Sequence, residues 1–347
     1  MDVRHNRQQL FANKLTVLRR SSCSADQAPF FPLYLQSLMV GEKPSFTVYV
    51  KIKSEKTQEI NFLPFLDAEE ILEASLITML AQLGIDRFYF HRQDLEPVLA
   101  YLNNHLMLLD GSREDHAREK LLVLAEHLNF SLHRAFNSPH LGRHISLAQI
   151  QLDRLVLELE KSPSSLKLVW ELLYRDYCLY KHSVNVCLLG VAFMLFLHKS
   201  RQESILMGLA CLFHDLGMTR IPEDLLYKVE PLEPEEWETV RKHPHAGYQV
   251  LQHTNSMPPE VLQLVLEHHE NADGSGYPQG LPTDRQHPLS RVLRLVDAYD
   301  GLTCHRPFRQ ALTPFAALQT LSAQAGSAGR VFDPRSLRNF IRFLALP

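Results

Sequence analysis

The chain has 347 residues, a formal net charge of −3 and 45% hydrophobic residues. That length buries a sizeable core and accommodates about two domains. The charge balance excludes a duplex nucleic-acid binder and argues against a membrane-surface protein, but admits a small anionic ligand, which needs only local positive charge. Cys23, Cys178, Cys187, Cys211 and Cys304 form no CxxC pair, which argues against a thiolate zinc site or a disulfide framework and fits a reducing cytosol.

The amino terminus, MDVRHNRQQLF, lacks an apolar core segment, so no signal peptide is expected. Residues 1–32 are polar, without sustained periodicity, and read as a loose lead-in. Residues 33–110 read as a small α/β domain of regulatory character. Within it, Phe46-Thr-Val-Tyr-Val-Lys-Ile alternates as a strand does. Asp67 is placed to cap a helix bearing Ile71, Leu72, Leu76, Met79, Leu80 and Leu83, which Gly84 stops. Arg87-Phe-Tyr-Phe-His reads as a short strand, and Asp94 to Leu109 as a second helix.

Residues 111–163 read as a helical connector with Leu121, Leu124, Leu128 and Leu132 on one face. Packing against its own chain is the simpler account of that stripe; a homodimer seam is the alternative. Asn137-Ser-Pro-His-Leu-Gly marks a turn. Residues 164–347 read as almost entirely helical, interrupted by the Gly/Pro-rich stretch Asp273 to Pro282. The longest apolar run, Val186 to Leu197, is short for a bilayer span and reads as a buried helix, so a soluble cytoplasmic protein is expected.

Among 18 histidines, those between His182 and His269 carry chemistry by their position. The apolar helix Ser204 to Phe213 runs into His214-Asp215, and a carboxylate at the end of a buried helix is costly unless a cation or good hydrogen bonds accompany it. Asp297 follows Leu293 by four residues, on the apolar face of its own helix. His268-His269 closes the amphipathic helix that starts at Pro259; adjacent helical residues point about 100° apart, so the pair suits two neighbouring metals better than one. One such residue reads as a satisfied core histidine or a capping aspartate. Several together, all His or Asp, point to a nitrogen/oxygen two-metal site of the kind that suits iron, manganese, nickel or zinc.

The motifs complete the reading. His214-Asp215 after an apolar helix resembles the HD doublet of HD-domain phosphohydrolases, and HHENADGSGYPQGLP (His268 to Pro282) closely resembles the HD-GYP signature. YKHSVNV, HDLGMTRIPEDLL, EEWETVRKHPHAG and VDAYDGLTCHRPFR follow in family order, so the resemblance covers about Ser164 to the carboxyl terminus. It implies a mainly α fold, with an all-helical HD-type bundle behind the small α/β domain and the connector. It also implies a metal cage of His182, His214, Asp215, His243, His268, His269 and Asp297, with Asp215 bridging two divalent metals, iron first and manganese, nickel or zinc as alternatives. The pattern HPxxG selects His243 over His245.

The implied activity is hydrolysis of c-di-GMP to linear pGpG and onward to GMP, with His214 and Asp215 at the catalytic centre. Arg306 and Arg309 would hold phosphate, Tyr277 would face the ligand, and the GYP loop would dock GGDEF-type cyclases. The chain departs from the family twice. Met218 stands where HDxGK has its lysine, which admits the alternative of a weak or inactive module that binds a cyclic dinucleotide and signals to partners. Cys178 stands where some members have a glutamate for a third metal, so two metals and an unligated Cys178 are expected.

Overall fold

The computed structural model describes residues 16–17, 29–53, 60–82, 85–111, 116–161, 163–173, 178–226, 228, 230–305, 309–326 and 330–346. The chain divides into two compact units, 1–130 and 131–347.

The first unit is built on an antiparallel sheet of β1 (Thr16–Val17), β2 (Phe30–Tyr34), β3 (Val48–Lys53), β4 (Ile60–Leu66) and β5 (Arg87–His91). Strand β3 pairs with β1, β4 and β5, and β5 pairs with β2. Alternation puts Val48, Val50 and Ile52 of β3, and Phe88 and Phe90 of β5, into the core. Helix α2 (Leu95–Gly111) buries Val98, Leu102 and Leu106 at helical spacing; α1 is Ala74–Gln82.

Three strands escape the pattern reading: β1 lies within the lead-in expected to be loose, and β2 and β4 each carry a proline, Pro32 and Pro64, which removes a ladder donor. Both tolerate it at the margin of the sheet: β2 pairs only with β5, and β4 meets β3 through a register shift at Val48/Tyr49. The cap expected at Asp67 is not formed. Glu69 takes a positive φ of 65° and Leu72 exchanges backbone hydrogen bonds with Gly41 and Glu42, so the helix starts at Ala74 instead. Leu83 and Gly84 lie outside the described residues.

Helix α3 (Ala117–Phe136) holds Leu121, Leu124, Leu128 and Leu132, all buried within this chain, as the simpler account of that stripe requires. A turn over 137–140 leads into α4 (Leu141–Glu160) and then α5 (Pro163–Leu172). Helix α6 (Leu179–Phe196) is apolar on every side and is the axis of the second unit. Its 18 residues meet the length and hydropathy of a membrane span, yet 78% of that window is buried in the fold. Phe340 and Phe343 of α14 (Pro334–Leu344) pack against its Phe193, edge-to-face at 5.1 Å and tilted at 5.4 Å.

Helix α7 (Arg201–Phe213) lies along α6 so closely that a Cβ on Gly190 would stand 2.7 Å from the Cys211 Sγ. A capping box starts α7: Ser200 Oγ accepts from Glu203 N–H, and the Glu203 carboxylate accepts from Ser200 N–H. This cap fixes where the helix begins and hence where His214-Asp215 emerges at its other end. Hydrogen bonds from Lys199 first, then from Ser200, lower the Glu203 carboxyl from 4.5 to about 2.

Ser200→Ala is expected to cost about 0.5–2 kcal/mol in a denaturant melt followed by helical circular dichroism. Because the Glu203 pKa is depressed on folding, its small contribution is complete above about pH 4.5 and declines as pH falls towards about 2. A melt of Ser200→Ala that coincides with the wild type would remove the cap from the account.

Candidate metal centre

Five segments of the second unit converge on one point. His182 comes from the first turn of α6, His214 from the end of α7, and Asp215 from the junction with a short 3-10 segment, Leu216–Arg220. His243 opens α10 (His243–Gln252) and His268 and His269 follow α11 (Pro259–Glu267). Asp297 comes from the middle of α12 (Pro288–Thr303). All of them are buried except His269, which is partly exposed.

Backbone contact explains two glycines of the motifs. A Cβ on Gly217 would stand 1.9 Å from the His243 carbonyl oxygen, so only glycine lets the HD segment meet the start of α10. A Cβ on Gly276 would come within 2.2 Å of Asn271 N, where the GYP loop folds back on the segment after His269. The buried Glu270 carboxylate holds that loop by accepting from Gln279, Gly280 and Leu281 N–H at 2.7, 3.1 and 2.9 Å.

The histidine rings are oriented through Nδ1. His214 Nδ1 donates to Cys211 O at 2.7 Å, His243 Nδ1 to Val240 O at 2.8 Å, and His268 Nδ1 to Val265 O at 2.6 Å. His182 Nδ1 donates to Asp300 Oδ2 at 2.7 Å, and Asn185 Nδ2 steadies the other oxygen of Asp300 at 2.8 Å. A neutral imidazole carries one N–H, so with Nδ1 committed each Nε2 presents a lone pair to the interior. His243 Nε2 and His268 Nε2 then face each other at 3.1 Å as two acceptors, and the buried His214 Nε2 has no hydrogen-bond partner among the protein groups.

The Asp215 carboxylate stands between two sets of nitrogens. Oδ1 is 3.3 Å from His243 Nε2 and 3.7 Å from His268 Nε2, while Oδ2 is 3.3 Å from His214 Nε2 and 3.8 Å from His182 Nε2. Two groups able to hold a metal ion result, Asp215 with His243, His268 and His269, and Asp215 with His182 and His214. Asp297 spans both, with Oδ1 3.1 Å from His182 Nε2 and Oδ2 4.0 Å from His269 Nδ1. Neither group includes Cys178, whose extended backbone caps α6 instead of extending the helical face of His182.

The protonation balance suits a cation. Burial drives His268 down to about 4 and, aided by its neighbours His268 and His243, holds His269 well below its ordinary range. Burial disfavours ionised Asp215, but His214, His243 and His268 outweigh it and keep the carboxyl well below the usual range. At His182 burial opposes protonation, yet hydrogen bonds to Asp297 and Asp300 raise it to about 10. Neutral His268 and His269 beside ionised Asp215 and Asp297 are donor chemistry for a divalent metal, whereas His182 would give up its Nε2 proton on ligating one.

Residues 179–335 match the family model of the HD domain. This stretch is similar to an HD domain. The chain is 30% identical over 213 residues to cyclic di-GMP phosphodiesterase PA4108 of Pseudomonas aeruginosa, a match covering 61% of this chain and 50% of that one. To the cyclic di-GMP phosphodiesterase response regulator RpfG of Xanthomonas campestris it is 36% identical over 144 residues, 41% of this chain and 37% of the relative. The matched part thus spans half or less of these curated relatives. In fold, the chain is similar to Bd1817, a HDG"Y"P protein from Bdellovibrio bacteriovorus, with a TM-score of 0.67 at 18% identity over 91% of this chain and 99% of that one. The HD-GYP resemblance and the mainly α architecture read from the motifs are borne out.

Around the candidate metal centre, Tyr277 stacks on His269 at 4.8 Å, with the Tyr277–Pro278 peptide cis. His245 points outward and pairs with Tyr248. The Arg309 guanidinium donates to the carbonyls of Gly301, Leu302 and Gln310, so it closes the end of the helix that carries Asp297. Arg306 lies outside the described residues. Sequence reasoning missed Asp300 and Glu270. Asp300 carried a legible signal, being a second acid on the apolar face of α12 three residues beyond Asp297.

Asp300→Ala is expected to lower metal affinity by about 10–100-fold, because the ring of His182 loses its orienting acceptor. Competition with a chelator, followed by elemental analysis, reads the change; wild-type affinity would show that α6 packing alone sets the ring.

Proposed function

We propose that the protein hydrolyses c-di-GMP to linear pGpG, with GMP as a further product, at a centre that holds two divalent metals. The observation that carries the reading is Asp215, whose two carboxylate oxygens face the Nε2 atoms of separate histidine sets. His182, His214, Asp215, His243, His268, His269 and Asp297 would hold the metals. Iron is the first choice, with manganese, nickel and zinc as alternatives for a nitrogen/oxygen set.

When bound, such a pair supplies Lewis acidity that makes water a nucleophile near neutral pH and balances charge on phosphate oxygens. The chain's own residues do the positioning. The backbone carbonyls of Cys211, Val240 and Val265 keep three rings in one tautomer, and Asp300 does so for His182. Glu270 keeps the GYP loop beside the centre, so Tyr277 forms a wall against which a nucleotide can rest. Arg306 and Arg309 remain phosphate contacts in this proposal, Arg309 from its post at the end of α12. The GYP loop is the docking edge for a GGDEF-type cyclase. The buried cysteines Cys178, Cys187, Cys211 and Cys304, which form no disulfide among the described residues, support a cytoplasmic setting.

Incubation of metal-analysed protein with c-di-GMP, followed by chromatography, should yield pGpG. Asp215→Ala should abolish turnover and lower bound metal while helical circular dichroism is unchanged. Full metal content and turnover in that variant would end the two-metal assignment. A wild-type protein that binds the dinucleotide but leaves it intact would favour the signalling module that Met218 suggests.

A further inference from the structure

Arg294 is a cation with an unusual setting. It lies on α12 three residues before Asp297, on the same side of the helix. Its guanidinium is part-buried over the Phe332 ring, 5.1 Å from the centroid. Its hydrogen bonds are two long ones, from Nε and Nη2 to Asn271 Oδ1, both at 3.4 Å. No carboxylate among the described residues forms an ion pair with it, because Asp297, the nearest acid on its helix, is turned to His182 and His269.

That position borders the metal centre. Asn271 is two residues beyond His269, in the segment that supports the GYP loop.

A guanidinium partly withdrawn from water needs an anion or strong acceptors to offset lost hydration. A single amide oxygen at long range and an aromatic face satisfy few of its donors. The planar fork matches the oxygens of a phosphate, and several of its N–H groups are uncommitted for one.

We infer that Arg294 is a substrate-binding residue that grips a phosphate oxygen of the nucleotide phosphodiester held at the metal centre. The assignment rests on the proposed c-di-GMP hydrolysis. A purely structural Arg294 would instead tie the Asn271 segment to Phe332 and leave ligand affinity alone.

The test uses the full, metal-loaded chain and a phosphorothioate analogue of c-di-GMP that resists hydrolysis, titrated by calorimetry. Arg294→Gln should raise Kd by roughly tenfold to a hundredfold, with metal content unchanged. KM for c-di-GMP should rise more than kcat falls, and the dependence of Kd on ionic strength should flatten. Arg294→Lys keeps a charge over Phe332 but loses the fork, so it should weaken binding by roughly threefold to tenfold and tests the assignment even where Arg294→Gln is unstable. Either variant, folded and metal-loaded, binding within about twofold of the wild type overturns the role of Arg294 while leaving the proposed hydrolysis standing. A wild-type chain that neither binds the analogue nor cleaves c-di-GMP overturns the proposed function, and the role of Arg294 with it.

Discussion

Imidazole lone pairs that point at one another inside a protein repel unless something positive lies between them. His243 and His268 meet in that way at Nε2, and His214 turns a buried Nε2 inward with no protein partner. Each is forced into this pose by a backbone carbonyl that captures Nδ1. The ionised Asp215 at the focus answers part of that demand, and a divalent cation held there would answer the rest. Donor geometry of this kind is expensive to assemble without a cation, because burial alone would favour hydrogen-bonded pairs.

The bundle exists in the form it does because it must deliver ligands from five places. An apolar axis, α6, lets other helices pack from several sides, and close contact at Gly190 brings α7 near enough for His182 and His214 to share Asp215. Contact between Gly217 and the His243 carbonyl sets a further ligand against the first group. Stability and function are therefore coupled: the residues that hold the ligand segments in register have no metal-binding atoms of their own. Glu270 does for the GYP loop what those glycines do for the helices, by satisfying three backbone donors with one carboxylate.

The same logic separates the arginines. Arg309 gives three hydrogen bonds to carbonyl oxygens at the end of α12, a favourable place for a cation because the helix C-terminus is electronegative. Arg294, on the body of that helix, has an aromatic face and one amide oxygen. Motif position drew attention to Arg309; only the spatial neighbours draw it to Arg294.

Much of this protein was legible in its sequence. The helical character of 164–347, the HD doublet at the end of an apolar helix and Asp297 on an apolar face are local patterns, and local patterns survive without knowledge of the fold. Pattern reading lost β2 and β4 because proline contradicts the strand signal while a sheet margin tolerates it, and it misplaced the start of α1 because Leu72 is held by Gly41 and Glu42, distant in sequence. The seven expected metal ligands could be named by motif, but their convergence belongs to the tertiary structure. Which ring nitrogen faces the interior, which oxygen of Asp215 serves which histidines, and that Asp300 steers His182 across 118 residues are set by contacts between segments. A sequence lists the donors; only packing aims their lone pairs.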